Sequence, residues 1–225
     1  MSLPGFKTLL YGDSGDGKTH ALRTLLRCGI TPFVIATEPG MRALATCDSP
    51  TCEVCAGVPK GAAPIPYAYV APGGDLASLL QQADWVATRD QQFLCKINDA
   101  TRNVTFNQFA QVTRLLENFI DSEGKAWGPV QKWGTDRCLV VDSLTGLGDM
   151  AMDLFCGRRP LYDKPDYQIG QQLLQSIVEL LTCKFSCPVV VVGHLDGGQE
   201  DVMGRGGSGN VMAPGRKLAP QLPRL

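Results

Sequence analysis

No apolar run in the 225-residue sequence approaches the roughly 18–20 residues that a bilayer-spanning helix requires. Net charge is also nearly absent, since 21 basic and 22 acidic residues leave −1. That balance excludes a polycation coating nucleic acid and leaves any nucleic-acid contact to local basic loops. No internal repeat and no long low-complexity tract stand out. The start, MSLPGFKTLLYGDSG, lacks the long apolar stretch of a secretory signal, and cleavage there would damage the glycine-rich loop it leads into. The expected location is therefore cytoplasmic, with no membrane partner.

The hydrophobic fraction of 44% and charged fraction of 19% are ordinary for a globular protein. The length suits one domain with its own core and room for an inserted segment. Nine cysteines, an odd number, several of them in helix- or strand-like segments, read mostly as reduced, buried thiols, with one cluster as the exception.

Strand and helix patterns alternate along the chain. Phe6–Tyr11, Phe33–Ala36, Arg137–Asp142 (RCLVVD) and Pro188–Gly193 (PVVVVG) read as strands, the last two fully buried. Lys18–Arg27, Asp75–Ala87, Phe106–Ile120, Leu144–Phe155 and Tyr167–Lys184 read as helices. Residues 46–74, rich in Cys, Pro and Gly, read as an inserted loop, and 197–215 as a mobile glycine-rich segment. The predicted fold is a single α/β domain over 1–225, a mostly parallel sheet with helices on both faces.

Gly12-Asp13-Ser14-Gly15-Asp16-Gly17-Lys18-Thr19 fits G-x-x-x-x-G-K-[ST], with an apolar strand before it and a helix after it. Glycines let successive backbone N–H groups curl inward around phosphate oxygens, and the following helix adds its positive end. Lys18 would neutralise phosphate and Thr19 would ligate Mg²⁺, so ATP with Mg²⁺ is the expected ligand. A merely structural glycine turn explains neither the lysine nor the threonine. His20 comes next, either touching phosphate or packing.

A metal-bound phosphate also needs a carboxylate from the protein, and Asp142 closes a buried strand where an unpaired charge is costly. The alternative is Asp142 as the N-cap of the next helix. Glu38 ends the strand FVIATE on the predicted carboxyl edge of the sheet, placed to orient an attacking water. His194 closes PVVVVGH on the same edge, either a sensor of bound phosphate or a plain strand-end histidine.

Cys47-x4-Cys52-x2-Cys55 places three thiols in a loop with little apolar material. Two thiolates at C-x2-C spacing can share one tetrahedral Zn²⁺, with Cys95 or Cys28 as the fourth ligand and His20 less favoured. The alternative is a flexible loop of free thiols.

Together GDSGDGKT, a strand ending in TEPG, VVDSLTGL and VVVVGH resemble the RecA-like ATPases. The nearer resemblance is to the small RecA-like ATPases of bacteriophages that act in single-strand annealing or recombination. DYQIGQQLLQ before the last strand and the tail APGRKLAPQLPRL share in it. The likeness runs from about Phe6 to Leu225, although the cysteine-rich insertion is not expected of every member.

The resemblance implies that Lys18, Glu38, Asp142 and His194 carry catalysis. It also implies a DNA-stimulated ATPase that assembles into a homo-oligomeric ring or filament on single-stranded DNA, in a bacterial host cell if phage-encoded. Arg158, Arg159, Lys164 and Arg205 would contact DNA backbone, and Arg216 or Lys217 would reach a neighbouring subunit's nucleotide. A single-strand-binding or replication protein is a further expected partner. Two other readings stand beside this one: a nucleotide-switch or loader ATPase with a protein partner, and a small-molecule kinase with Arg158-Arg159 in a lid.

Overall fold

The computed structural model describes residues 5–45, 52–59, 62–71, 107–156, 164–196 and 210–211. Cys47, Cys95, Arg158, Arg159, Arg205, Arg216, Lys217 and the helix expected at Asp75–Ala87 lie outside them.

Five strands form one parallel sheet: β1 (Lys7–Gly12), β2 (Thr31–Ala36), β3 (Tyr67–Tyr69), β6 (Arg137–Asp142) and β7 (Val189–Asp196). Their spatial order is β1-β7-β6-β2-β3. A short strand β8 (Asn210–Val211) pairs antiparallel with β7, and β4 (Phe119–Ile120) with β5 (Ala126–Gly128) makes a separate hairpin. The helices are α1 (Lys18–Ala21), α2 (Gln108–Glu117), α3 (Leu144–Cys156) and α4 (Lys164–Cys183). Lys164, which the resemblance implies as a DNA-backbone contact, opens α4.

Alternation along each inner strand divides the core in two. Phe33, Ile35, Leu139, Val141, Val189 and Val191 face α2, α3 and α4. Val34, Ala36, Cys138, Val140, Val190 and Val192 face Leu22 and Leu44, after the glycine-rich loop. Because side chains in a strand alternate between faces, uninterrupted apolar runs are what two covered faces require. Each buried Val or Leu contributes about 1.5–3 kcal/mol. On the first face Phe33 also packs edge-on to Phe119 and Trp127, with ring centroids 5.6 and 4.8 Å away.

The structure corrects several expectations. The helix expected over Lys18–Arg27 is α-helical only to Ala21 and continues as a 3₁₀ segment, Leu22–Cys28. Gly29 stops it at φ 72°, a left-handed conformation that glycine adopts without a Cβ penalty. The inserted loop assigned to 46–74 is not all loop, since β3 within it joins the main sheet beside β2. His194 does not close its strand, because β7 runs on to Asp196.

Candidate functional site

Register levels the strand ends. Gly12 of β1 pairs with His194 of β7, Asp142 of β6 with Val192 of β7, and Ala36 of β2 with Asp142. The glycine-rich loop, Asp142, His194 and the turn starting at Thr37 therefore share one edge of the sheet. Parallel strands all present their carboxyl ends there, which makes that edge the usual place for a ligand.

The loop turns on Gly15 at φ 92° and Gly17 at φ 77°, a region that favours glycine. Its shape is held by Asp16, whose carboxylate accepts the Asp13 N–H at 2.8 Å. Lys18 is buried, and its ammonium donates to the carbonyl oxygens of Gly12 at 3.0 Å and Asp13 at 2.6 Å. Ser14, Gly15, Gly17, Lys18, Thr19, Glu38, Asp142 and His194 help line a cleft of about 310 Å³. A larger hollow of about 510 Å³ lies where β2 and β6 begin, and none of the candidate catalytic, phosphate-binding or metal-binding residues lines it.

The Thr19 hydroxyl donates to Asp142 Oδ2 at 2.6 Å, joining the loop's last residue to the end of β6. Burial pushes the Asp142 carboxyl above its ordinary pKa and nearby Glu38 adds to that, while the Thr19 hydrogen bond, His194 and Lys18 oppose it. A partly buried carboxylate beside a hydroxyl offers oxygen donors suited to a hard divalent cation.

Ser143, not Asp142, caps α3. Its hydroxyl oxygen accepts the Gly146 N–H at 3.2 Å, and its carbonyl accepts the Leu147 N–H at 3.1 Å. The alternative role for Asp142 as a helix cap is thus taken by its neighbour, which leaves the Asp142 side chain to Thr19. The peptide bond between Asp142 and Ser143 is cis.

The same serine hydroxyl donates to Glu38 Oε1. Glu38 Oε2 accepts from His194 Nε2 at 3.0 Å. Thr37 secures the junction: its hydroxyl donates to the Ser143 carbonyl at 3.0 Å and accepts the Ser143 N–H at 2.8 Å. Its own N–H donates to the Asp142 carbonyl at 2.6 Å. Glu38 is thus held from two sides with part of its carboxylate facing the cleft, a geometry that can orient a water molecule.

Sequence reasoning assigned no role to Thr37 or Ser143. Both lie inside motifs that it did single out, and the signal was a hydroxyl residue at each strand end.

His20 does not join the phosphate-facing donors through its Nε2. That atom lies 3.2 Å from Cys52 Sγ and 3.9 Å from Cys55 Sγ. The three donor atoms lie within 4.8 Å of one another, a group that could hold a metal ion. Cys28, one of two cysteines proposed as an additional ligand, is not part of this group. The histidine disfavoured as a ligand for its place beside the phosphate loop is the one the fold brings to the thiols.

No family model matches this sequence, and no curated sequence matches it closely enough to count as a relative. Among the described residues, no helix is long and apolar enough to cross a membrane.

Proposed function

We propose that this chain is a RecA-like, Mg²⁺-dependent ATPase that acts on single-stranded DNA in annealing or recombination. The observation that carries the nucleotide reading is the meeting of Thr19 and Asp142 beside Lys18, at the mouth of a loop whose glycines adopt positive φ. Backbone N–H groups of Gly15 and Gly17 and the Lys18 ammonium would hold the phosphates, and Thr19 with Asp142 would hold Mg²⁺. When bound, Mg²⁺ supplies positive charge to the phosphate oxygens.

The chain's own part in hydrolysis falls to Glu38. Its carboxylate orients a water and takes its proton, while Ser143 and His194 fix the carboxylate's direction. His194 then links the occupancy of the cleft to the chain that follows β7. The DNA substrate and an oligomeric assembly rest on the resemblance of the motifs GDSGDGKT, TEPG, VVDSLTGL and VVVVGH to the RecA-like ATPases.

The test is ATP hydrolysis with and without single-stranded DNA, for wild type, Lys18→Ala and Glu38→Gln. Stimulation by DNA that both substitutions abolish supports the proposal. Hydrolysis indifferent to DNA overturns the DNA part and redirects the search to a protein partner. Phosphate transfer to a nucleoside in place of water overturns it in favour of a small-molecule kinase.

A further inference from the structure

The inserted loop is fastened to the segment that follows the glycine-rich loop. The Arg27 guanidinium donates to the carbonyl oxygens of Glu53 and Val54. Arg23, buried in the same 3₁₀ segment, donates to the Ala45 carbonyl at 2.6 Å, just before the loop begins. His20 adds a third point of attachment through Cys52 and Cys55.

Those three side chains have the chemistry and spacing of a metal site. Around a tetrahedral Zn²⁺, bond lengths of about 2.0–2.1 Å to nitrogen and about 2.3 Å to sulfur put neighbouring donors about 3.5–3.8 Å apart. The observed 3.2 and 3.9 Å from imidazole to the two thiols bracket that separation. Two thiols with one imidazole are soft and borderline donors that favour zinc over the hard Mg²⁺ expected at Thr19. All three residues are partly buried, which limits competition from water.

We propose that His20, Cys52 and Cys55 bind one zinc ion, and that this ion clamps the inserted loop onto α1 so that zinc and nucleotide bind cooperatively. Zinc binding releases the two thiol protons to solvent and involves no redox change. The coupling follows from covalent adjacency: His20 is the residue after Thr19, so fixing its ring fixes the turn that presents the Thr19 hydroxyl to Asp142. The coupling rests on the nucleotide reading above, whereas the metal site does not.

The first experiment measures zinc per chain in full-length protein purified without chelator, for wild type and the double variant Cys52→Ser/Cys55→Ser. About one zinc per wild-type chain is expected, and a small fraction of that in the variant. Cobalt substitution should give the visible absorption of a tetrahedral thiolate site in wild type alone. Wild type that neither retains nor takes up zinc, or a double variant that keeps it, overturns the site.

The second experiment uses a fluorescent ATP analogue on wild type before and after zinc removal, and on the double variant, whose substitutions lie outside the phosphate cleft. Zinc loss should weaken binding about fivefold or more, and by reciprocity saturating Mg²⁺-ATP should tighten zinc by the same factor. Equal nucleotide affinity with and without zinc overturns the coupling. A chain that holds zinc but binds no nucleotide overturns the nucleotide reading and the coupling with it, and leaves the metal site standing.

Discussion

Replacing Thr37 by valine removes one hydroxyl from a fully buried position and changes little in shape. The hydroxyl serves both backbone groups of Ser143, accepting its N–H at 2.8 Å and donating to its carbonyl at 3.0 Å. Thr37 is 2% exposed, so water has no easy way to replace it. Each buried polar group left without a partner costs about 1–3 kcal/mol. Only the Ser143 N–H is stranded, because its carbonyl keeps the Leu147 N–H, so the expected loss is about 1–3 kcal/mol. For a chain of this size, that corresponds to a drop in thermal midpoint of about 2–12 °C. Differential scanning calorimetry of the apo protein reads it directly. Thr37→Ser keeps the hydroxyl and should recover most of the loss. The valine variant should also lose ATPase activity below its melting temperature, because Ser143 orients Glu38. A valine variant within about 0.5 kcal/mol of wild type, the usual range for a neutral surface change, would refute the reasoning. So would a serine variant as unstable as the valine one.

Four further outcomes are expected. Glu38→Gln should retain nucleotide binding while hydrolysis falls about 10²–10⁴-fold, checked by equilibrium binding beside turnover. Gly146→Ala places a Cβ 2.4 Å from Thr37 Oγ1, so it should destabilise the chain by about 1–3 kcal/mol in denaturant unfolding. Burial works against the Asp121 charge, yet hydrogen bonds from Trp127, Lys125 and Glu123 and the charge of Lys125 hold its carboxyl below the ordinary carboxylate range. Its stabilising effect is present above the unfolded-state value of about 3.9 and is lost as pH falls through the lowered folded-state value. Asp121→Asn should accordingly lower the thermal midpoint near neutrality, with the difference shrinking in acid. Burial pushes the Cys138 thiol up to about 12, and Cys28 and Cys183 are exposed. An alkylating reagent should therefore label Cys28 and Cys183 in the native protein and reach Cys138 only on unfolding.

Strong local signals carried much of this architecture. RCLVVD forms a strand over the same six residues that the sequence suggested, because an apolar run between two charges fits only a fully buried strand. The glycine-rich loop was legible because Gly, Lys and Thr occur at fixed offsets. The three-residue strand β3 was not, since Pro64 and Pro66 directly before it read as loop and its partner β2 is about thirty residues away in sequence. Glu38 and His194 could each be placed at the sheet edge, but their mutual contact depends on β7 and β2 flanking β6, a matter of topology. His20 was misjudged for a similar reason. Spacing linked the cysteines to one another, while only the folded loop sets them against the first turn after Thr19.

The two-sided core has a consequence for the precision of the site. On β2, β6 and β7, consecutive residues belong to different cores, so a slip of one position would exchange the two sets of side chains. Both cores would then be filled with the wrong shapes. The same slip would move Ala36, Asp142 and Val192 out of their common row. The alignment of the site is therefore enforced by the buried valines and leucines of the sheet. Residues such as Glu38 and His194 can be substituted for functional tests without disturbing what keeps the strand ends level.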